Sequence, residues 1–105
     1  MRKIKIKQKD SVGKWKLTSF PSCPNLVISH DSYIYNHSRG VGFGNYRNSD
    51  RIRLARILEG DCMICTVSSD NKIQKKILIH NKWKKIHTFY GKVQDKEIEI
   101  WINDI

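Results

Sequence analysis

The sequence predicts an α+β domain that is mainly antiparallel β, with a curved or partly closed sheet of about seven strands and one helix near residues 70–85. Three observations favour this fold class. Several short segments alternate apolar and polar residues, which is the pattern of half-buried strands. Glycine, proline and polar turn residues separate these segments. Near the end of the chain the apolar residues adopt helical spacing before the alternation returns.

The first third of the chain predicts strands that two prolines interrupt. Isoleucines alternate with lysines at the start, and a second alternating segment begins at Trp15, which we expect to be mostly buried. Pro21 and Pro24 break the pattern, because proline cannot donate a hydrogen bond to a central ladder. Residues 26–30 and 32–36 then predict two strands, or one long strand with a bulge.

The middle of the chain, residues 42–65, is interpreted as a hairpin. A glycine-rich strand is expected at its start, where close backbone approach explains the glycines at positions 40, 42 and 44. The turn N-S-D follows. Residues 51–58 (R-I-R-L-A-R-I-L) alternate and predict a second strand, with a bulge near Ala55. The segment ends in an apolar strand that closes at Cys65.

Residues 70–85 are interpreted as a helix, with Ser69 and Asp70 as candidate N-caps. The apolar face is expected to contain Ile73, Ile77, His80 and Trp83. The run K-I-L-I-H is rich in β-branched residues, so a strand remains open as an alternative. Residues 87–102 then predict a closing hairpin around the turn Q-D-K.

The length of 105 residues predicts a single small β-rich domain that spans residues 1–105. No apolar run resembles a signal peptide or reaches the length of a membrane span. Three cysteines are an odd number, which fits a reducing compartment better than a closed disulfide framework. We therefore expect a cytoplasmic protein.

The charge is strongly basic: 20 Lys and Arg oppose 10 Asp and Glu, for a net charge of +10. Such a chain attracts polyanions, so the expected partner is an unidentified protein or a polyanion such as RNA, DNA or an anionic lipid surface. Clustered arginines suit anion binding, although a solvated strand face is the competing interpretation. The candidate anion-binding or nucleic-acid-binding residues are Arg47, Arg51, Arg53, Arg56, Lys82, Lys84 and Lys85.

Motifs that could carry chemistry are weak. Cys62 and Cys65 have the C-x2-C spacing of a zinc ligand pair, but they end an apolar strand, which favours a core role. The glycine-rich segment is neither G-x-G-x-x-G nor a loop that ends in Gly-Lys-Ser/Thr. Ser29, His30 and Asp31 are consecutive, so they point to alternate faces of a strand and make a poor triad. The sequence therefore predicts no catalytic residue, no metal, no cofactor and no enzyme.

Several short motifs follow one another along the chain: Trp15-Lys-Leu17, Leu26-Val-Ile28, Gly44-Asn-Tyr46, Met63-Ile-Cys65 and Ile98-Glu-Ile100. In their order they resemble the META domain, the HslJ-like family of small β-rich proteins, over roughly residues 13–102. The resemblance implies a non-catalytic binding or interaction domain. It also implies an association with stress tolerance in bacteria or with virulence in trypanosomatid parasites, and it carries over no catalytic residue.

Two alternatives remain open at this point. The first is a basic nucleic-acid-binding domain that uses the arginines and lysines named above. The second is a small-ligand-binding β-barrel of calycin type, since Gly13-Lys-Trp15 resembles the lipocalin Gly-x-Trp opening. A calycin barrel would need residues 70–85 to be a strand, and 105 residues are few for a ligand-holding barrel.

Overall fold

A computed structural model describes residues 3–11, 13–34 and 43–105 of the chain, and they form six strands and two helices. In chain order the elements are β1 (Lys5–Lys9), β2 (Gly13–Phe20), β3 (Cys23–Ile34), α1 (Phe43–Ile57), β4 (Cys62–Ser68), α2 (Lys72–His80), β5 (Lys84–Gly91) and β6 (Lys96–Asp104).

The strands form one open sheet in the order β1-β2-β3-β4-β6-β5. Each described pair of neighbours is antiparallel except β3 and β4, which run parallel. Parallel neighbours need a crossover connection, and α1 lies within the segment that joins β3 to β4. The sheet thus consists of two antiparallel halves, β1-β2-β3 and β4-β6-β5, that meet along one parallel seam.

The hydrophobic core lies between the sheet and the two helices. Leu17 of β2, Val27 of β3, Met63 of β4 and Leu78 of α2 are fully buried. Trp15 is only 2% exposed, which confirms the prediction that it is mostly buried. The alternation of the strands therefore places their apolar residues on the face that the helices cover.

The end of the chain is built largely as the sequence predicted. Helix α2 lies within residues 70–85, and β5 and β6 form the closing hairpin. The N-cap, however, is Asn71 rather than Ser69 or Asp70: its Oδ1 accepts a hydrogen bond from the Gln74 backbone N–H at 3.1 Å. Neither described helix is long and apolar enough to cross a membrane.

The middle of the chain departs from the prediction. Residues 51–58 were expected to be a strand, but α1 extends from Phe43 to Ile57. The expected seventh strand is therefore absent from the described residues, and the sheet is not closed. The inward face of α1 contains Arg47, Asn48 and Arg51, so its helical periodicity is not visible as a repeat of apolar residues. Positions 40–42 of the predicted glycine-rich strand lie outside the described residues.

Both helices end in a Schellman motif that has a non-glycine residue in the left-handed conformation. After α1, the Gly60 N–H donates to the Ala55 carbonyl at 2.8 Å, and Glu59 has φ of 68°. After α2, the Trp83 N–H donates to the Leu78 carbonyl at 2.9 Å, and Lys82 also has φ of 68°. Both helices are thus stopped by a turn that glycine would adopt with less strain.

Candidate functional site

The parallel seam between β3 and β4 is short. It contains three register pairs, Leu26 with Cys62, Val27 with Met63 and Ile28 with Ile64. Both strands continue beyond it, yet their described residues form no further pair with each other, while each strand stays paired with its outer neighbour. The carboxyl ends of the two strands therefore separate, and a gap opens in the middle of the sheet.

A cavity of about 270 Å³ occupies this gap. Ser29 and His30 of β3 line one side, residues 65–68 of β4 line the other, and Asn48 and Arg51 of α1 also contribute. Side chains of α2 and the Trp83 indole complete the wall. Ligands of open sheets that contain parallel strands bind at the carboxyl ends of those strands, so this is the position where a site is expected.

Helix α1 presents polar residues to the interior, and two of them have clear partners. The Trp83 Nε1–H donates a buried hydrogen bond to Asn48 Oδ1 at 3.0 Å, which ties α1 to the turn after α2. The guanidinium of Arg47 forms an ion pair with the carboxylate of Asp10, which follows β1. These contacts connect α1 to the residue that follows edge strand β1 and to the turn that precedes edge strand β5.

Arg51, one helical turn after Arg47, is the exception. Its side chain is buried, with 2% of the residue exposed, and it lines the cavity. Its Nε and Nη1 atoms have no hydrogen-bond partner among the described residues. Burial is the main reason that the pKa of Arg51 is lowered to about 10; Cys65 acts against this change, and Arg47 adds to it. At neutral pH the cavity wall therefore carries a buried positive charge, with no ion-pair partner among the described residues.

Cys65 lies directly after the last register pair of the seam and also lines the cavity. Burial raises the pKa of the Cys65 thiol to about 12, and the positive charge of Arg51 offsets only part of this effect. Because the thiolate is the reactive form of cysteine, Cys65 is a poor nucleophile at neutral pH. Among the described residues, no group of three or more His, Cys, Asp or Glu could hold a metal ion.

His30 is the histidine that lines the cavity. It is half-buried, and its Nε2 lies 3.1 Å from Thr18 Oγ1 on the neighbouring strand β2. This contact fixes the orientation of the ring. Imidazole gains and loses a proton near neutral pH, so His30 brings an acid–base group to the cavity wall.

Comparisons with known proteins give a clear result at the level of structure only. No protein-family model matches the sequence, and no curated protein matches it. Solved structures do match. An IAA acetyltransferase from Bacillus cereus ATCC 14579 superposes with a TM-score of 0.82 at 11% identity, and the match covers 94% of this chain and 74% of that one.

Two further structures agree. A Bacillus subtilis acetyltransferase in complex with CoA has a TM-score of 0.79 at 14% identity, covering 99% of this chain and 78% of the other. An acetyltransferase of the GNAT family from Streptococcus pneumoniae has a TM-score of 0.82 at 12% identity, covering 98% and 66%. The fold is that of the GNAT acetyltransferases.

The GNAT fold corrects the family that the sequence suggested. The resemblances to the META domain and to calycin barrels are wrong, because the solved structures that share the fold are acetyltransferases. The same finding overturns the expectation of a non-catalytic interaction domain with a stress or virulence role. It also overturns the nucleic-acid-binding alternative and the prediction that the chain is not an enzyme.

On the GNAT fold, the seven predicted anion-binding residues do not form one surface. Arg47 and Arg51 lie on the buried face of α1, whereas Arg53 and Arg56 are exposed, and Arg53 donates to Asp50 at 2.6 Å. The three lysines are exposed in the turn after α2 and at the start of β5, at positions 82, 84 and 85. A role of these residues in anion binding stays a prediction, and only Arg51 among them lines the cavity.

The glycine-rich segment was placed in the wrong context. It lies between β3 and α1, with Gly44 in the first turn of the helix, and its glycines at 40 and 42 lie outside the described residues. A strand, a glycine-rich segment and a helix in this order form a common arrangement for binding phosphate groups. This order of elements follows from the sequence only if residues 51–58 are helical, whereas their alternating pattern predicts a strand and therefore a hairpin.

Proposed function

We propose that this chain is an acyltransferase that moves a small acyl group from a coenzyme A thioester to an amine. The observation that carries the proposal is the gap between β3 and β4, which opens a cavity at the carboxyl ends of the only parallel pair among the described strands. The likeness to GNAT structures, one of them in complex with CoA, supports it.

The residues present fit a CoA thioester as the acyl donor. Beyond Ile28 and Ile64 the facing edges of β3 and β4 have no partner among the described strands, so their backbone groups can bind an extended, amide-containing arm. The N-terminus of α1, at Phe43, suits a diphosphate because the backbone N–H groups of a first helical turn favour anions. None of the described residues that line the cavity is Asp or Glu, so none of them repels a negative charge. The thioester would supply an activated acyl group.

His30 is the residue that we assign as general base. A neutral imidazole takes the proton that the attacking amine loses, and Thr18 holds the ring in place for this transfer. A thiol with a pKa of about 12 does not serve as a covalent acyl carrier, so Cys65 favours direct transfer from donor to amine.

The decisive experiment measures both binding and turnover with the purified chain. Isothermal titration with CoA tests the cavity, and release of free CoA thiol from acetyl-CoA in the presence of a panel of primary amines tests the chemistry. His30→Gln should lower kcat by about a hundredfold or more and leave CoA binding intact. His87→Gln, at an exposed histidine of β5, is the matched control.

Lack of CoA binding at millimolar concentration would overturn the proposal. Equal kcat values for His30→Gln and wild type would remove His30 from its assigned role. The cytoplasmic location and the single-domain organisation over residues 1–105 also remain proposals.

A further inference from the structure

We propose that Arg51 binds a carboxylate at the far end of the acyl chain, so that the cavity selects a dicarboxylic acyl group, such as malonyl or succinyl, over acetyl. This inference rests on the proposed acyl-CoA donor and names the class of acyl group that the site takes. The observations that carry it are the burial of Arg51, its unpaired N–H groups and its place in the cavity wall.

An unpaired guanidinium is costly to bury, because it loses its hydration and gains no compensating anion. None of the described residues that line the cavity is Asp or Glu, and Asp10 is paired with Arg47. Cys65 is an acidic group that interacts with Arg51, and its thiol is protonated at neutral pH. A bound ligand is therefore the natural source of the missing negative charge.

The position of Arg51 favours the acyl end of the donor over its diphosphate. Arg51 follows the first residue of α1 by eight positions, which is about 12 Å along the helix axis. It interacts with Cys65, the residue directly after the seam, so its charge lies at the apex of the gap. A diphosphate at the N-terminus of α1 has its own backbone donors there.

A carboxylate is the group that a buried arginine matches in shape. Guanidinium presents pairs of parallel N–H donors that bind the two oxygens of one carboxylate. In Arg51, Nη2 forms such a pair with either Nε or Nη1, the two atoms that lack partners among the described residues. An acetyl group leaves these donors unsatisfied. A short acyl chain that ends in a carboxylate satisfies them. The preference for such a chain over acetyl therefore follows from the unpaired donors of Arg51 rather than from the size of the cavity.

The test compares two stable CoA thioethers that differ only in charge, S-(2-carboxyethyl)-CoA and its amide S-(2-carbamoylethyl)-CoA. The first has the chain length of malonyl-CoA. Wild-type protein should bind the carboxylate at least about tenfold more tightly than the amide in isothermal titration. Arg51→Met should abolish this preference and change the Kd for CoA itself by less than about twofold.

Arg51→Lys keeps the positive charge but loses the paired N–H donors of the guanidinium. This variant should therefore keep only part of the preference for the carboxylate over the amide. Lys76→Met, which removes an exposed positive charge from α2, is the matched control and should keep the full preference. Circular dichroism confirms that each variant is folded before titration.

The outcomes are distinct. Equal affinities of wild type for the carboxylate and the amide would overturn the inference and leave the proposed function standing. A loss of affinity for CoA itself in Arg51→Met, equal for both thioethers, would assign Arg51 to the diphosphate and also overturn it. Failure of wild type to bind any CoA compound would overturn the inference together with the proposed function.

Discussion

Two residues of the cavity wall, Arg51 and Cys65, have protonation equilibria that burial changes in opposite directions. Burial lowers the pKa of the guanidinium to about 10 and raises that of the thiol to about 12. In both cases the neutral form is favoured, because the interior stabilises charge less well than water does. The sequence identified Arg51 as an anion-binding candidate and Cys65 as a core residue, but it gave no sign that they lie together.

The reactivity of the three cysteines should separate according to burial. With iodoacetamide at pH 8, exposed Cys23 should be modified first, and native Cys65 about a thousandfold more slowly, because little of its thiol is ionised. Peptide mass spectrometry of samples quenched over time measures the two rates. Denatured protein, in which Cys23 and Cys65 should react alike, is the control. Comparable rates in the folded state would contradict a buried, protonated Cys65.

At the scale of the elements, helices and strands were predicted correctly where apolar residues repeat with a regular spacing. Helix α2 and the β5–β6 hairpin lie where the spacing of isoleucines placed them. Helix α1 was missed because Arg47, Asn48 and Arg51 lie on its buried face, and buried polar residues hide the helical repeat of apolar ones. Two of these buried polar residues, Asn48 and Arg51, line the cavity. The same side chains therefore contribute to the candidate site and interrupt the apolar repeat by which a helix is predicted.

The two helix ends give a stability prediction. Glu59→Gly and Lys82→Gly should each stabilise the protein by about 0.5–1 kcal/mol, because glycine adopts the left-handed conformation without strain and this gain exceeds its greater entropy in the unfolded chain. Urea denaturation measures the free energy of unfolding. Glu59→Ala is the control and should show no gain, since alanine keeps the Cβ. Destabilisation by both glycine variants would contradict the cap assignment.

At the scale of the whole molecule, a partly buried ion pair ties α2 to the sheet. Lys75 Nζ donates to Glu99 Oε2 at 3.0 Å, and Trp101 Nε1–H donates to Glu99 Oε1 at 3.0 Å. Burial alone would raise the pKa of Glu99, but the hydrogen bonds from Lys75, Ser69 and Trp101 outweigh it, so the pKa of this carboxyl is lowered. Glu99 on β6 thus stabilises the docked position of α2 in its ionised form.

The pH dependence of stability follows from the sign of this change. Since the pKa of Glu99 is lower in the folded state, its contribution is fully present above the ordinary value of 4.5 and is lost as the pH falls towards the folded value. The free energy of unfolding should therefore fall as the pH drops below about 4.5. Glu99→Gln should flatten this part of the profile, whereas Glu97→Gln, at an exposed neighbour, should not. An unchanged slope in Glu99→Gln would contradict the assignment.

The whole fold was predictable only in part. Composition and alternation correctly indicated an α+β domain with one largely antiparallel sheet. The order of the strands was not predictable, because the parallel pairing of β3 with β4 joins residues that are far apart in sequence and leaves no local pattern. The short motifs that suggested a META domain lie mostly on strands, and alternating strands occur in many folds.

The seam between β3 and β4 also has a consequence for how the chain folds. Each half of the sheet consists of antiparallel strands that are neighbours or near neighbours in sequence, whereas the three seam pairs join residues 36 positions apart. Closing so long a segment for so few backbone hydrogen bonds costs conformational entropy before it gains contacts. The halves should therefore form first and the seam last. In native-state hydrogen exchange, the amides of the seam would then report the opening of one half from the other.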